Sequence, residues 1–586
     1  MMFMLVGSSL LILAVSVDSR CVVTFSERSS GIGVQITTFN NVRYCEYRGV
    51  RYATAARFED PVLHNPNGQE QYKREGSSCP QMNEFYHQQT TSGDEDCLFM
   101  NVFVPQFDRK KAGFGGFPVL VFIHGGSFQI GSASFEFDRA DLLIEKQIIV
   151  ISINYRLDVL GFLHYPLFNI TGNYGLKDQQ AALKWINRYI KFFGGDPNKV
   201  TLMGQSAGAA SVSYHLYSDR SRGLFQQAAL LSGSFLADWA YTYRPEHFAE
   251  EYFKHFGFNS RQQLLDRNAS DFIELNYWQG AYFFNRYNTW PLPTAESDDD
   301  PSPFLTASPQ ELIIRKQALD VPLLVGITIH EFELVRFPLH TDHDRLNIPN
   351  RWNNNVWSQL RKFTEVNVEQ FVEKVEHTWD QMIARGHSAP IFAFRFDFDG
   401  KFGRYKNDRL GRRLRSQHYG AIHGDDLGYI FTPYCVEEAL ASRADFQKEW
   451  AVHDRMTEMV ANFVKHGNPS LQEFEWKPYN AEPNQKQYAV IDEIMEMKSG
   501  SLLEHHLYSF CRAAYDFSAL QDADAVGLKL YLCNSSGASK WRLRRYISRK
   551  EYGSCPQLND MNYATQTLWK SVGGEILLER FQRGAI

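Results

Sequence analysis

Ser206 is a hydroxyl set among small residues. The stretch Thr201–Ser211 reads TLMGQSAGAAS, which puts Gly204 and Gly208 two positions to either side of it. A serine becomes a nucleophile when a base takes its proton, a third group orients that base, and N–H donors receive the oxyanion. Gly204-Gln-Ser-Ala-Gly208 fits a nucleophile elbow, a turn so tight that the serine takes φ above zero and its neighbours must be small. The pentapeptide alone also arises by chance in chains of ordinary composition, so its setting decides. Lys199–Met203 reads as a short strand before the serine, and Ala207–Tyr217 as a helix after it. The first amides of such a helix favour developing negative charge. A second cluster, His124-Gly-Gly-Ser-Phe128, follows the apolar run Val119–Ile123. Small residues at a strand end let backbone N–H groups approach a carbonyl oxygen, which is the place expected for an oxyanion loop.

These residues need a frame. Val119–Ile123 and Ile148–Ile153 are continuous apolar runs, the pattern of strands covered on both faces. Asp141–Lys146 reads as a helix between them. Asp178–Phe193 is amphipathic and stops at Gly194-Gly-Asp-Pro197. Gln227–Ser232 and Val321–Ile327 read as further buried strands. Phe392, Phe394, Phe396 and Phe398 alternate with other residues, which predicts a strand with one aromatic face. Strands alternating with helices imply a mostly parallel sheet with helices on both sides. Ser297–Pro303 reads as an acidic surface loop.

Composition narrows the function classes. The chain has 586 residues and a formal net charge of −6, with both signs spread along it, so nothing asks for a nucleic-acid partner. Met1–Val17 is an uncharged apolar run, short for a membrane span and suited to a signal-peptide core, with small residues at Ser16 and Ser19 offering cleavage points. Secretion would make the eight cysteines candidates for disulfides. Cys79 and Cys97 would close a modest loop; pairing among Cys21, Cys45, Cys435, Cys511, Cys533 and Cys555 stays open. Asn169, Asn268 and Asn534 head N-x-[ST] sequons. No C-x-x-C, H-E-x-x-H, P-loop or complete G-x-G-x-x-G occurs, and neither a metal nor a nucleotide cofactor is expected. Near the C-terminus, Ser554-Cys-Pro-Gln-Leu-Asn559 nearly repeats Ser78-Cys-Pro-Gln-Met-Asn83, without a tandem period.

From about Arg43 to Cys511 the chain resembles the type-B carboxylesterase/cholinesterase family, and most of all secreted insect esterases. The resemblance rests on Glu95-Asp-Cys-Leu98, His124-Gly-Gly-Ser-Phe128, Asn154-Tyr-Arg156, Gly172-Asn-Tyr-Gly-Leu-Lys-Asp-Gln179, Phe193-Gly-Gly-Asp-Pro197, Gly204-Gln-Ser-Ala-Gly208 and Ala421-Ile-His-Gly-Asp425.

That resemblance implies an α/β-hydrolase fold, a mostly parallel central sheet with helices on both faces. It implies Ser206 as nucleophile, Glu331 as acid and His423 as base, with Glu333 the alternative acid because Phe332 stands where the family usually has glycine. It implies oxyanion donors at Gly126, Ser127 and Ala207, a disulfide Cys79–Cys97, and structural ion pairs Arg57–Glu95 and Arg156–Asp178. Ser127 replaces a glycine there but keeps its backbone N–H. The expected organisation is a signal peptide over 1–19, the hydrolase domain over 20–518 and a C-terminal extension over 519–586. The expected activity is hydrolysis of a small, apolar carboxylic ester through an acyl-enzyme, by a secreted glycoprotein without a membrane anchor. A cholinesterase is disfavoured, since no tryptophan lies between Cys79 and Cys97 to receive a choline cation. Two other readings remain: a juvenile-hormone-type esterase, which shares Gly204–Gly208 and the Gly420…His423…Asp426 pattern, and a non-catalytic extracellular adhesion member of the family.

Overall fold

The structure, a computed structural model, describes residues 21–502 except 83–89, 107–114, 135–139, 275–290, 298–299, 316–317, 332–370, 404–419, 433–435 and 483–484, together with 532–533 and 542–543. The expected leader, Glu333, Cys435, Cys511, Cys555 and Asn534 lie outside the described residues. Contacts divide the chain into two compact units, Met1–Leu502 and Leu503–Ile586. The second unit contains a short antiparallel pairing of Leu532–Cys533 with Arg542–Leu543.

The first unit is built on a sheet of eleven described strands. In chain order these are β1 (Val34–Thr37), β2 (Arg43–Arg51), β3 (Phe99–Pro105), β4 (Phe117–Ile123), β5 (Ile149–Ile153), β6 (Gly195–Gln205), β7 (Gln227–Leu231), β8 (Leu323–Thr328), β9 (Ile391–Phe396), β10 (Gln487–Ile491) and β11 (Met495–Ser499). Their spatial order is β11-β10-β9-β8-β7-β6-β4-β5-β3-β2-β1. From β10 through β5 every pairing is parallel, and antiparallel strands close both edges.

The apolar runs explain this arrangement. In β4, Leu120 and Phe122 join Met203 and Leu231 in one core layer, packed with Met456, Val460 and Phe463 of a long helix. The alternate residues Val121, Ile123 and Leu202 are equally buried, so both sheet faces are covered. The principal helices are α1 (Asp141–Glu145), α2 (Tyr174–Tyr189), α3 (Ala207–Tyr217) and α4 (Gln447–His466). Helices α2 and α3 both contact β6. A mostly parallel sheet with helices packed on it is an α/β architecture, in keeping with the α/β-hydrolase fold that the resemblance implies.

Three boundaries differ from the sequence reading. Helix α2 begins four residues before Asp178, behind Asn173 in a left-handed conformation, and its last turn tightens to a 3-10 helix over Ile190–Phe193. Gly194, also left-handed, ends that turn, and β6 starts at once on Gly195, so the Gly-Gly-Asp-Pro stretch is a helix stop and a strand start together. In β9 the aromatic face is present, but the other face is buried as well; Arg395 is accommodated there by two 2.6 Å bonds to Asp397.

Candidate active site

Parallel strands end at one edge of the sheet, and the candidate residues follow those ends. Ile123 is the register partner of Gly204, so His124–Phe128 leaves β4 beside the turn that leaves β6. Ser206 has φ 57° and ψ −122°, a backbone strained for any residue but glycine. Its N–H donates to Leu231 O at 2.8 Å and its carbonyl accepts from Ala210 N at 2.9 Å, so the turn is pinned to β7 and α3. Gly208 is required by close approach: a Cβ there would lie 2.1 Å from Ile123 O.

Glu331 follows β8 and is buried. One carboxylate oxygen accepts from Thr328 N at 2.8 Å, and the other faces His423 Nδ1 at 2.5 Å. His423 is delivered by a parallel bridge between His330 and Ile422, in which His330 N–H donates to Ala421 O at 3.0 Å. Burial opposes charge on this imidazole, but the Glu331 carboxylate outweighs it and holds the His423 pKa above the ordinary histidine value. Burial likewise opposes charge on Glu331; the facing imidazole outweighs it and holds its pKa below the usual carboxylate range.

The other ring nitrogen, Nε2, lies 3.2 Å from the Gln205 side-chain amide nitrogen. With Nδ1–H directed at Glu331, Nε2 has a lone pair that accepts from this amide. No described residue hydrogen-bonds the Ser206 hydroxyl, which is half-buried. The structure therefore brings Glu331 and His423 into direct contact and leaves Ser206 one residue away from the group that occupies Nε2. Gln205 was not singled out from the sequence, although its place beside the serine is the signal that could have named it.

Gly125 faces the turn, since a Cβ on it would lie 2.9 Å from Ser206 Cβ. The Gly126 carbonyl accepts from both Gln129 N, at 2.9 Å, and Ile130 N, at 3.0 Å. Gly126 takes φ 103°, and Ser127 and Phe128 follow at 57° and 61°. Phe128 is buried with its ring 5.1 Å from that of Phe162. Among the described residues, no acceptor is bonded to the amides of Gly126, Ser127 or Ala207.

Asp426 lies three residues beyond His423. It is fully buried, and both carboxylate oxygens lack a hydrogen-bond partner among the described residues. Burial, then the nearby Glu331 charge, pushes its pKa up to about 7.

The remaining candidates fall outside this cluster. Arg57 Nε donates to Glu95 at 2.8 Å, and its guanidinium also meets the carbonyls of Leu264 and Arg267 at 2.7 and 2.6 Å. Arg156 and Asp178 form a buried bidentate pair at 2.7 and 2.8 Å. Cys79 is bonded to Cys97, and Cys21 to Cys45, a pairing the spacing left open. Asn169 and Asn268 are exposed. The acidic loop after Ala295 is partly turned inward: Lys177 Nζ meets Glu296 at 2.8 Å, Asp60 at 3.0 Å and Asp300 at 3.4 Å, because a buried ammonium needs counter-charge. Among the described residues, no group of three or more His, Cys, Asp or Glu side chains could hold a metal ion. No described helix is long and apolar enough to cross a membrane.

Comparison with known proteins adds an independent line. The model of the carboxylesterase family matches residues 28–385 and 356–509. Juvenile hormone esterase of Tribolium castaneum is 28% identical over 527 residues, covering 78% of this chain and 86% of that protein. Para-nitrobenzyl esterase of Bacillus subtilis is 29% identical over 429 residues, covering 70% and 82%. The crystal structure of juvenile hormone esterase from Manduca sexta, with OTFP covalently attached, superposes with a TM-score of 0.68 at 26% identity, covering 84% of this chain and 99% of that one.

Proposed function

This chain belongs to the carboxylesterase family and hydrolyses carboxylic esters, and from that premise we propose that Ser206 is its nucleophile, His423 its general base and Glu331 the residue that orients the base. The observation that carries the reading is the 2.5 Å contact between Glu331 and His423 Nδ1. That contact fixes the tautomer in which Nε2 can take a proton, and it stabilises the imidazolium that then forms.

The reaction proceeds as follows. An ester carbonyl enters beside Ser206, and the hydroxyl displaces the Gln205 amide from Nε2. His423 takes the Ser206 proton as Oγ attacks the carbonyl carbon. The oxyanion is received by the amides of Gly126, Ser127 and Ala207, which have no other acceptor among the described residues. Removing one such donor typically costs about 3–4 kcal/mol of transition-state stabilisation. His423 then protonates the leaving alcohol, and water, activated by the same imidazole, hydrolyses the acyl-enzyme to the carboxylic acid.

The test is direct. A radiolabelled organophosphate should label the protein at one site per chain, on Ser206, and Ser206→Ala should lose labelling and ester hydrolysis together, by at least about a thousandfold. Folded protein that hydrolyses esters without labelling at Ser206 would refute the assignment. Folded protein that neither labels nor hydrolyses would instead favour the adhesion reading.

The substrate is a small, apolar ester. A juvenile-hormone-type ester is the second reading, favoured by similarity to juvenile hormone esterases of two insects. A panel of short-chain, long-chain and juvenile-hormone esters, ranked by kcat/KM, separates the two. We also propose that residues 1–19 direct secretion and that the exposed Asn169 and Asn268 carry glycans. Two disulfides fit an oxidising compartment.

A further inference from the structure

We propose that His124 is a positioning residue for the oxyanion site: its Nδ1–H, bonded to the Gly125 carbonyl, fixes the Gly125–Gly126 peptide and thereby aims the Gly126 N–H. The proposal rests on the reading of Gly126 as an oxyanion donor.

Carbonyl and N–H of one trans peptide point in opposite directions in a common plane, so holding one end holds the other. The plane at issue joins two glycines, Gly125 and Gly126, and Gly126 is at φ 103°. A peptide between two glycines rotates with less steric resistance than any other in the backbone. Something must therefore restrain it if its N–H is to meet an oxyanion without reorganisation.

His124 supplies the restraint. Its Nδ1 lies 2.8 Å from Gly125 O. A carbonyl only accepts, so Nδ1 carries the proton and the buried Nε2, which has no partner among the described residues, does not. The ring itself cannot wander. It stacks on Tyr155 at 4.4 Å and 18°, and the Tyr155 hydroxyl donates to His124 O at 3.0 Å. On another side it meets Gly131, where a Cβ would lie 2.2 Å from Nδ1. Gly131 is held in turn by Gln81, whose side chain accepts from Gly131 N and donates to Gly131 O, both at 2.8 Å. The same Gln81 amide donates to Cys79 O at 3.0 Å. A bracket therefore runs from the Cys79–Cys97 loop to the ring. Burial lowers the His124 pKa to about 4, so the ring stays neutral through the working pH range and does not act as a charge on the oxyanion.

Two substitutions separate the N–H from the ring. His124→Phe keeps an aromatic ring for Tyr155 but has no donor; His124→Asn carries an amide N–H near the Nδ1 position. The readouts are kcat, KM for a neutral ester, and the inhibition constant of a trifluoromethyl ketone, whose serine adduct bears an alkoxide. His124→Phe should lower kcat and weaken the ketone by about tenfold or more with KM within about threefold, and His124→Asn should restore both. If His124→Phe keeps native kcat and ketone affinity, or if His124→Asn is as impaired as His124→Phe, the proposal is overturned. Should the Phe variant fail to fold, His124→Leu serves as the donor-less variant and is read against His124→Asn with the same outcomes. Failure of the underlying reading looks different, since the wild-type protein would then not bind the ketone, or Ser206→Ala would still hydrolyse esters.

Discussion

Asp426 has a buried carboxyl that bonds to nothing among the described residues, beside an imidazole whose protonation the proposed chemistry depends on. Isolated carboxylates do not stay charged in such a place without cost, and its pKa of about 7 reflects this. Its charge, when present, adds to those of Glu331 and Asp425 in favouring the His423 imidazolium. The sign of the effect on catalysis follows. As the proposed base, His423 works only when neutral, so kcat/KM should fall as pH drops through the His423 pKa, which lies above the ordinary value of 6.5. Asp426→Asn removes one neighbouring negative charge, lowers that pKa and moves the acid limb to lower pH. A kcat/KM profile from pH 5 to 9 checks this; a limb that stays put or moves upward contradicts it. Asp426 stood in the sequence only as the third member of a Gly…His…Asp spacing. What makes it unusual, the lack of a partner among the described residues, depends on packing from elsewhere in the chain and cannot be read from spacing.

At the scale of elements, the block Gly172–Gln179 carries its meaning in α2. Asn173 bonds Thr294 O and Glu296, both at 2.7 Å, Lys177 faces Glu296, Asp60 and Asp300, and Asp178 takes Arg156. One turn of helix thus fastens the segment around 294–305 and the loop near Asp60. Lys177→Met would leave the buried Glu296 carboxylate without its cation, which costs about 3–5 kcal/mol. Urea unfolding monitored by tryptophan fluorescence measures that loss; a change under about 1 kcal/mol would show that the pair contributes little. The strands β4, β5, β7 and β8 were legible because a short apolar run suits a strand covered on both faces, and β9 through its alternating phenylalanines. The start of α2 was harder to place: Asn173 is an ordinary N-cap residue type, but it sits there left-handed and its side chain makes no cap hydrogen bond. Ser206 could be singled out from its own pentapeptide, and Glu331 and His423 as candidates through the family resemblance. The contact of Gln205 with Nε2 could not, because it joins residues 218 positions apart.

For the whole molecule, both described disulfides lie in the first hundred residues. Cys21–Cys45 spans 24 residues and Cys79–Cys97 spans 18. Each removes loop entropy from the unfolded chain, about 3 kcal/mol for loops of this size. Reduction with a phosphine under native conditions should therefore lower the urea midpoint substantially. An unchanged midpoint with both bonds verifiably reduced would show that the long sheet alone sets the stability.

The loop after β4, the turn after β6, Glu331 after β8 and His423 beyond β9 follow strands that lie as two neighbouring pairs, β4 with β6 and β8 with β9, on either side of β7, yet are far apart along the chain. No short fragment can hold even two of them in place. Parallel pairings of this kind form slowly, because each closes a long stretch of chain before any contact rewards it. During renaturation, turnover should thus lag behind the return of helical circular dichroism, appearing only as the final strands dock. Enzymatic recovery would then serve as a gauge of finished folding, blind to every partly organised state before it.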